Sequence, residues 1–230
     1  RDLRMSRGLG DVYKRQTYYN KIFAPQNIVV SINGNVDKDK TIKAFSTMFK
    51  STDKDKFAFT PHIQEITPIK TLKESIKEAP DTNTDWIFLG WQTAGINNKK
   101  DFATLQVIDS LLGTGMSSRL FKNLRDQHGL AYQLGSSYSA NALKGAFMVY
   151  IGTNPQTLEK SKNMLMAEIN KLKTEFVGTK ELEEAKEKLI GHFILSQETN
   201  LDKAATVGWF ETIGAGYNFT DEYEKLINSV

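Results

Sequence analysis

Residues 116–139 read MSSRLFKNLRDQHGLAYQLGSSYS, and the character of the chain changes twice within them. Ser117 or Ser118 can cap a helix over 118–127 by accepting a free backbone N–H. Gly129 ends that helix, and residues 130–139 read as a strand. Helix, glycine turn and strand in immediate succession predict a mixed fold in which the strand returns across the helix that precedes it. Arg125 falls in the last turn of the helix and Tyr132 early in the strand, seven positions later. The turn could therefore bring a guanidinium and a phenol together. Both are donors, and Arg does not lose its charge, so such a pair could hold a carbonyl or an oxyanion. A plainer reading stands beside this one. Arg125 could meet the helix's last carbonyls, and Tyr132 shares a strand face with Leu130 and Leu134, so it could belong to the core.

Outward from this segment, toward the C-terminus, residues 145–152 (GAFMVYIG) form a second strand after a turn at Asn141. The period then becomes helical. Leu158, Leu165, Ile169, Leu172 and Phe176 line one stripe, and Leu182, Ala185, Leu189 and Phe193 line another, with Thr179 as a cap. Helices over about 201–214 and 220–229 follow. Toward the N-terminus, residues 101–112 make a helix with Phe102, Leu105, Ile108 and Leu112 inward, broken by Gly113 and Gly115. Residues 85–94 are a strand apolar on both faces, expected in the middle of a sheet. Residues 69–78 alternate apolar and charged side chains, as in a lysine-guarded edge strand. Residues 38–49 space Ile42, Phe45 and Phe49 as a helix, residues 27–33 (NIVVSIN) read as a β-branched strand, and a helix ends near Phe23, before Pro25. Hairpins joined by paired helices predict an α+β two-layer sandwich, a largely antiparallel sheet with helices on one face. The core is expected over about 17–200, with the last helices reaching away from it.

The chain has 230 residues, no cysteine and a formal charge of +3. Disulfides, thiolate nucleophiles and cysteine-based metal sites are excluded. The whole charge excess lies in residues 1–16, so the other 214 residues are neutral. A clustered basic face of the kind that binds nucleic acid is not expected. No apolar run approaches the ~18 residues of a membrane helix. The stretch GLGDVYKRQ has no apolar period and resembles translated adaptor sequence, so residues 1–16 are set aside as a foreign or disordered lead-in. The last helix runs to Val230 without a stop signal, which reads as C-terminal truncation.

Motifs for other chemistries fail on inspection. His62 opens HIQEI, one residue short of H-x-x-E-H, with Ile where the second histidine belongs. His128 beside the glycine turn and His192 in a helix read as surface or satisfied-core residues. The GTG of 113–115 follows a helix and lacks the GK[ST] of a phosphate loop.

Three segments beyond the spacing arguments carry a resemblance: SSRLFKNLRDQHGLAY, then GAFMVYIGTNP, then ELEEAKEKLIGHFILSQET. With YYNKIFAPQNIVVSINGNVD ahead of them, they resemble the pitrilysin/insulin-degrading zinc metallopeptidase (inverzincin) family. The likeness is to the second, non-zinc half of its smaller, processing-peptidase-like members, and it covers about 17–215. It implies that residues 17–230 are the C-terminal-type inactive domain of a two-half clamshell that closes on a peptide. It implies zinc in an H-x-x-E-H-bearing half, fused or separate, and none bound by this chain. It places the family's Arg and Tyr, which reach the scissile carbonyl, on Arg125 and Tyr132. It also implies a peptide substrate and a bacterial cytoplasmic or periplasmic setting. The alternative it leaves open is a non-catalytic assembly subunit of the same fold, like the core subunits of respiratory complexes.

Overall fold

The protein is described from a computed structural model, which covers residues 9–49, 67–69, 71, 73–76 and 82–230. The chain divides into two units, residues 1–65 and 66–230. HIQEI lies outside the described residues.

In the first unit, helix α1 spans Leu9–Ile22. It starts eight residues before the expected boundary at Thr17, because the Leu, Lys, Arg and Gln of the lead-in are good helix formers. Phe23 stacks on Tyr19 with ring centroids 4.5 Å apart, and Pro25 opens a 3-10 turn at Pro25–Asn27, where its missing N–H costs nothing. The expected strand over 27–33 does not form: residues 28–33 lie outside any described ladder, and Val29, Val30 and Ile32 are exposed. β-Branched residues favour an extended backbone, but a strand needs a neighbour to take its N–H and C=O groups. Helix α2, Lys38–Met48, is capped by Asp37, whose carboxylate accepts from the Lys40 N–H at 3.0 Å. Ile42 is exposed and Phe45 stacks on Phe49, so the helical spacing was read correctly although no residue of α2 is buried.

The second unit is an α+β two-layer structure. Strands β1 (Asp85–Ala94), β2 (Gln133–Ala140) and β3 (Lys144–Thr153) form an antiparallel sheet in the order β1-β3-β2. Asp85 pairs with Thr153 and Ala94 with Lys144 on one side of β3, and Gln133 with Gly152 and Ala140 with Gly145 on the other. The period-2 rule sends Phe147, Val149, Ile151 and Thr153 to one face, all buried, while Met148 on the other face is exposed. β1 is therefore an edge strand of the described sheet and β3 the central one, a correction to the expected order. Apolar residues on both faces of β1 do not signal full burial here, because Trp86 and Phe88 stand exposed on the face opposite the core. Of the expected edge strand at 69–78, the described residues lie outside any strand. Their tie to β1 runs through the Gln92 side chain, which accepts from the Ile69 N–H at 2.9 Å and donates to the Thr67 carbonyl at 3.4 Å.

The helices cover the buried face. Helix α3, Lys99–Leu112, puts Phe102 and Leu112 in the core and packs Leu105 and Ile108 against it, as its spacing predicts. Helices α4 (Leu158–Thr174) and α5 (Thr179–Leu195) contribute Leu165, Ile169 and Ala185. Phe176 leaves the predicted stripe: α4 ends at Thr174 and the ring is fully exposed. Gly178, not Thr179, is the N-cap of α5. Helices α6 (Asn200–Thr212) and α7 (Phe219–Asn228) do not reach away. Phe210, Phe219, Tyr223 and Ile227 are buried in the same core. Thr199 and Asp202 form a reciprocal capping box at the start of α6.

A polar knot joins α3, α5 and β2. Asp109 accepts from the Ser136 hydroxyl, and the Lys188 ammonium donates to the carbonyls of Ser110 at 2.6 Å and Thr114 at 2.8 Å. Burial pushes the Asp109 pKa up, against the lowering effects of Ser136, the Tyr138 backbone and Lys188. A carboxyl whose folded pKa is raised favours folding most when protonated, so its contribution is lost as pH rises through the folded value. Asp109→Asn keeps an acceptor for Ser136 and removes the titration. Denaturant midpoints measured from roughly pH 4 to pH 7 should fall less steeply with pH in Asp109→Asn than in the wild type. Equal slopes would refute the buried-carboxylate account.

Candidate active site

The segment that holds Arg125 and Tyr132 is assembled from its ends inward. After α3, the chain turns at Gly113 and Gly115, and Ser118 is buried with its hydroxyl donating to the Gly115 carbonyl at 2.7 Å. The serine thus secures the turn as a donor, where the sequence suggested an acceptor for a helix N–H. Arg119 forks onto Glu181 of α5, with Nε and Nη2 donating at 2.7 and 2.6 Å. Leu120 and Leu124, both fully buried, press the next helical turns onto the core.

Residues Phe121–Gln127 form a π helix, an uncommon, wide turn found frequently at functional sites. Hydrogen bonds close its end, among them one from the His128 N–H to the Arg125 carbonyl. The Gly129 N–H donates to the Arg125 carbonyl at 2.9 Å and the Leu130 N–H to the Leu124 carbonyl at 2.8 Å. His128 Nδ1 lies 2.7 Å from the Asn123 carbonyl. Gly129 has φ +59°, the left-handed region that reverses the chain and that side-chain-bearing residues rarely adopt.

The returning chain is then tied to β3. The Leu130 carbonyl accepts from Thr153 Oγ1 at 2.7 Å, and the Tyr132 N–H donates to the Gly152 carbonyl at 2.9 Å. Thr153 also meets Thr157 Oγ1 at 2.9 Å and Ser161 Oγ at 2.8 Å. Tyr132 precedes β2 and is not two residues inside a strand.

Both predicted site side chains are exposed, Tyr132 at 57%. The Arg125 guanidinium sits over the Phe121 ring, 5.0 Å from its centroid, a cation–π contact one helical step back. Among the described residues it makes no hydrogen bond to the helix's last carbonyls, and those of Asn123, Leu124 and Arg125 meet His128 Nδ1 and backbone N–H groups. Leu130 is buried while Tyr132 is not, because the alternation of faces applies only within the ladder and these residues lie before it. No hydrogen bond joins the two side chains, and neither bonds another described residue. The structure places them on the two arms of one turn, each held by its backbone and not by its functional group.

Sequence reasoning missed Phe121 and the hydroxyl cluster of Thr153, Thr157 and Ser161. The i,i+4 spacing of Phe121 and Arg125 was a readable signal; the cluster joins a strand end to α4 and to a loop 23 residues upstream, which spacing does not reveal.

The sheet face opposite the core is aromatic. Trp86 stacks on Phe88 at 5.7 Å, and Tyr150 lies 6.4 and 6.3 Å from the two. The Trp86 ring covers Gly152, where a Cβ would come within 3.1 Å of it. Among the described residues, no three His, Asp or Glu side chains gather where they could hold a metal ion. Among them also, no helix is long and apolar enough to cross a membrane.

This geometry can be set beside known proteins. A family model described as the peptidase M16 inactive domain matches residues 14–189. A Bacillus subtilis protein named uncharacterized zinc protease YmxG is 27% identical over 219 residues, which are 93% of this chain and 50% of that protein. A Helicobacter pylori protein named non-peptidase homolog YmxG is 26% identical over 92% of this chain and 48% of its own length. The chain thus spans about half the length of the relatives it matches. A crystal structure of a protease from Helicobacter pylori superimposes with TM-score 0.74 at 23% identity, over 97% of this chain and 53% of that one. A chain of complex III2 from Candida albicans has the same fold at TM-score 0.69 and 14% identity, over 86% of this chain and 48% of its own. With most of its length matched by that family model, the chain belongs to the peptidase M16 inactive-domain family.

Proposed function

We propose that the chain is the substrate-clamping, zinc-free half of a zinc endopeptidase, and that Arg125 and Tyr132 donate hydrogen bonds to the scissile carbonyl. The observation that carries this reading is the state of the two donors. Each sits exposed on a backbone tied to the core, with its hydrogen-bonding group unused among the described residues. Donors fixed before reaction act on the charge that develops on the carbonyl oxygen. A zinc ion held by the H-x-x-E-H residues of the other half would supply the activated water. This chain's own part is to orient the peptide and to place a charged and a neutral donor at its carbonyl. Specificity comes from the size of the chamber and from addition of the peptide as a strand at a sheet edge.

The test combines the chain with an H-x-x-E-H-bearing half. The combination is expected to cleave a quenched fluorescent peptide, and the chain alone is not. Elemental analysis of the chain alone is expected to find far less than one zinc per molecule. One tightly held zinc, or cleavage by the chain alone, would overturn the assignment.

The second reading is a non-catalytic assembly subunit. Its support is the non-peptidase name of the Helicobacter pylori relative and the fold shared with complex III2. Isolation from the native source separates the two: a peptidase half copurifies with an H-x-x-E-H partner and activity, an assembly subunit with a larger complex and none.

A further inference from the structure

We infer that Thr153 is a positioning residue for Tyr132, an inference that rests on the reading of Tyr132 as a carbonyl donor. Thr153 ends β3 and is fully buried, as is Ser161 on α4. Its hydroxyl makes three close polar contacts. One goes to the Leu130 carbonyl at 2.7 Å, and the others link it to Thr157 at 2.9 Å and Ser161 at 2.8 Å. The residue before it supplies the carbonyl that takes the Tyr132 N–H. Residues 130 and 132 are therefore pinned to consecutive residues of the central strand, one through a side chain and one through the backbone.

The geometry makes this tie consequential. Tyr132 lies before β2, so no ladder fixes the direction of its side chain. Its ring is exposed and makes no hydrogen bond of its own among the described residues. What aims the phenol is the path of residues 130–132 between left-handed Gly129 and the first pair of β2, Gln133 with Gly152. The Leu130 carbonyl opens that path, and Thr153 holds it. A hydroxyl is required at position 153, because a methyl in its place leaves a buried carbonyl without its donor. With its own hydrogen on the Leu130 carbonyl, Thr153 Oγ1 is left to accept from Ser161 Oγ, which favours that rotamer. A shift of about 1 Å in a catalytic group can cost on the order of 10²-fold in rate, so a tether of this kind acts on turnover as well as on stability.

The test is a double-mutant cycle in the chain combined with its zinc-bearing half. Thr153→Val keeps the shape and removes the hydroxyl; it is expected to lower kcat/KM by about 10- to 100-fold, mostly in kcat. Thr153→Ser keeps the hydroxyl and should recover most of that loss. In a Tyr132→Phe background, Thr153→Val should cost less than about twofold, because the group it positions is already gone. In the chain alone, Thr153→Val should speed amide exchange at Tyr132 while Val149 and Ile151 keep their protection, since global destabilisation would speed all three. If Thr153→Val proves too unstable to purify, Ser161→Ala replaces it in the same cycle. That substitution removes one partner of Thr153 and leaves its bond to Leu130 in place, so a smaller loss that again disappears in the Tyr132→Phe background is expected. An equal loss in both backgrounds, or full activity in folded Thr153→Val, would overturn the positioning role alone. Full activity in Tyr132→Phe would overturn the carbonyl-donor reading and the positioning role with it.

Discussion

Arg125→Ala, in the chain combined with a zinc-bearing half, is expected to lower kcat/KM by about 10²–10³, or roughly 3–4 kcal/mol of transition-state stabilisation, the usual effect of losing one oxyanion donor. Tyr132→Phe should have a somewhat smaller effect, because a zinc ion held by the other half would polarise the same oxygen. Neither substitution should alter stability much, since both side chains are exposed and bear no structural hydrogen bond. The one packing contact at stake is the Arg125 guanidinium over Phe121, an exposed cation–π contact worth about 0.5–1 kcal/mol. Arg125→Lys keeps the charge and loses the planar fork, so it should recover only part of the activity. The measurement is steady-state hydrolysis of a fluorescent peptide alongside a thermal melt. Unchanged kcat/KM in both Arg125→Ala and Tyr132→Phe, with normal melts, would withdraw the catalytic role.

Phe219→Ala is expected to lower the stability of the chain by about 3–5 kcal/mol, the range for truncating a buried aromatic side chain. Phe219 is 0% exposed at the start of α7. Its ring meets Phe210 at 4.6 Å and Phe102 edge-on at 5.5 Å. Lys99 lies over the ring at 5.8 Å and pairs with Glu222, so the N-termini of α3 and α7 are joined by charge as well as by packing. Tyr217, two residues earlier and exposed, is the control: Tyr217→Ala should stay within about 0.5 kcal/mol. The check is the denaturant midpoint at constant slope. A Phe219→Ala effect no larger than that of Tyr217→Ala would mean that α7 does not dock on the core.

The contrast between those two positions shows what the sequence could not supply. The hydrophobic spacing of α7 was legible and its existence was predicted, but the helix was expected to leave the core. Periodicity reports that a face is apolar; it does not report which surface that face meets, because a partner such as Phe102 lies far away in the chain. The same limit explains β1. Its sequence is apolar on both faces, yet Trp86 and Phe88 on one of them are exposed and the strand sits at an edge of the described sheet. Residues 27–33 show the limit in the opposite direction, with a strong β pattern and no described pairing partner.

At the site, the sequence alone determined the helix, the glycine turn, the strand and the two donors flanking that turn. These are local matters, fixed by spacing of a few residues and by the conformational freedom of Gly129. It also determined the absence of thiol chemistry and the concentration of charge in the first sixteen residues, since both follow from composition. Only the tertiary structure decided that Arg125 rests on Phe121 rather than on the helix's carbonyls, and that Tyr132 faces solvent rather than the core. It alone showed that the turn is pinned by Thr153, through contacts with Leu130 and Ser161. Hydrogen bonds and burial of this kind depend on distances between segments separated in sequence, and those distances exist only once β3 has taken its place at the centre of the sheet.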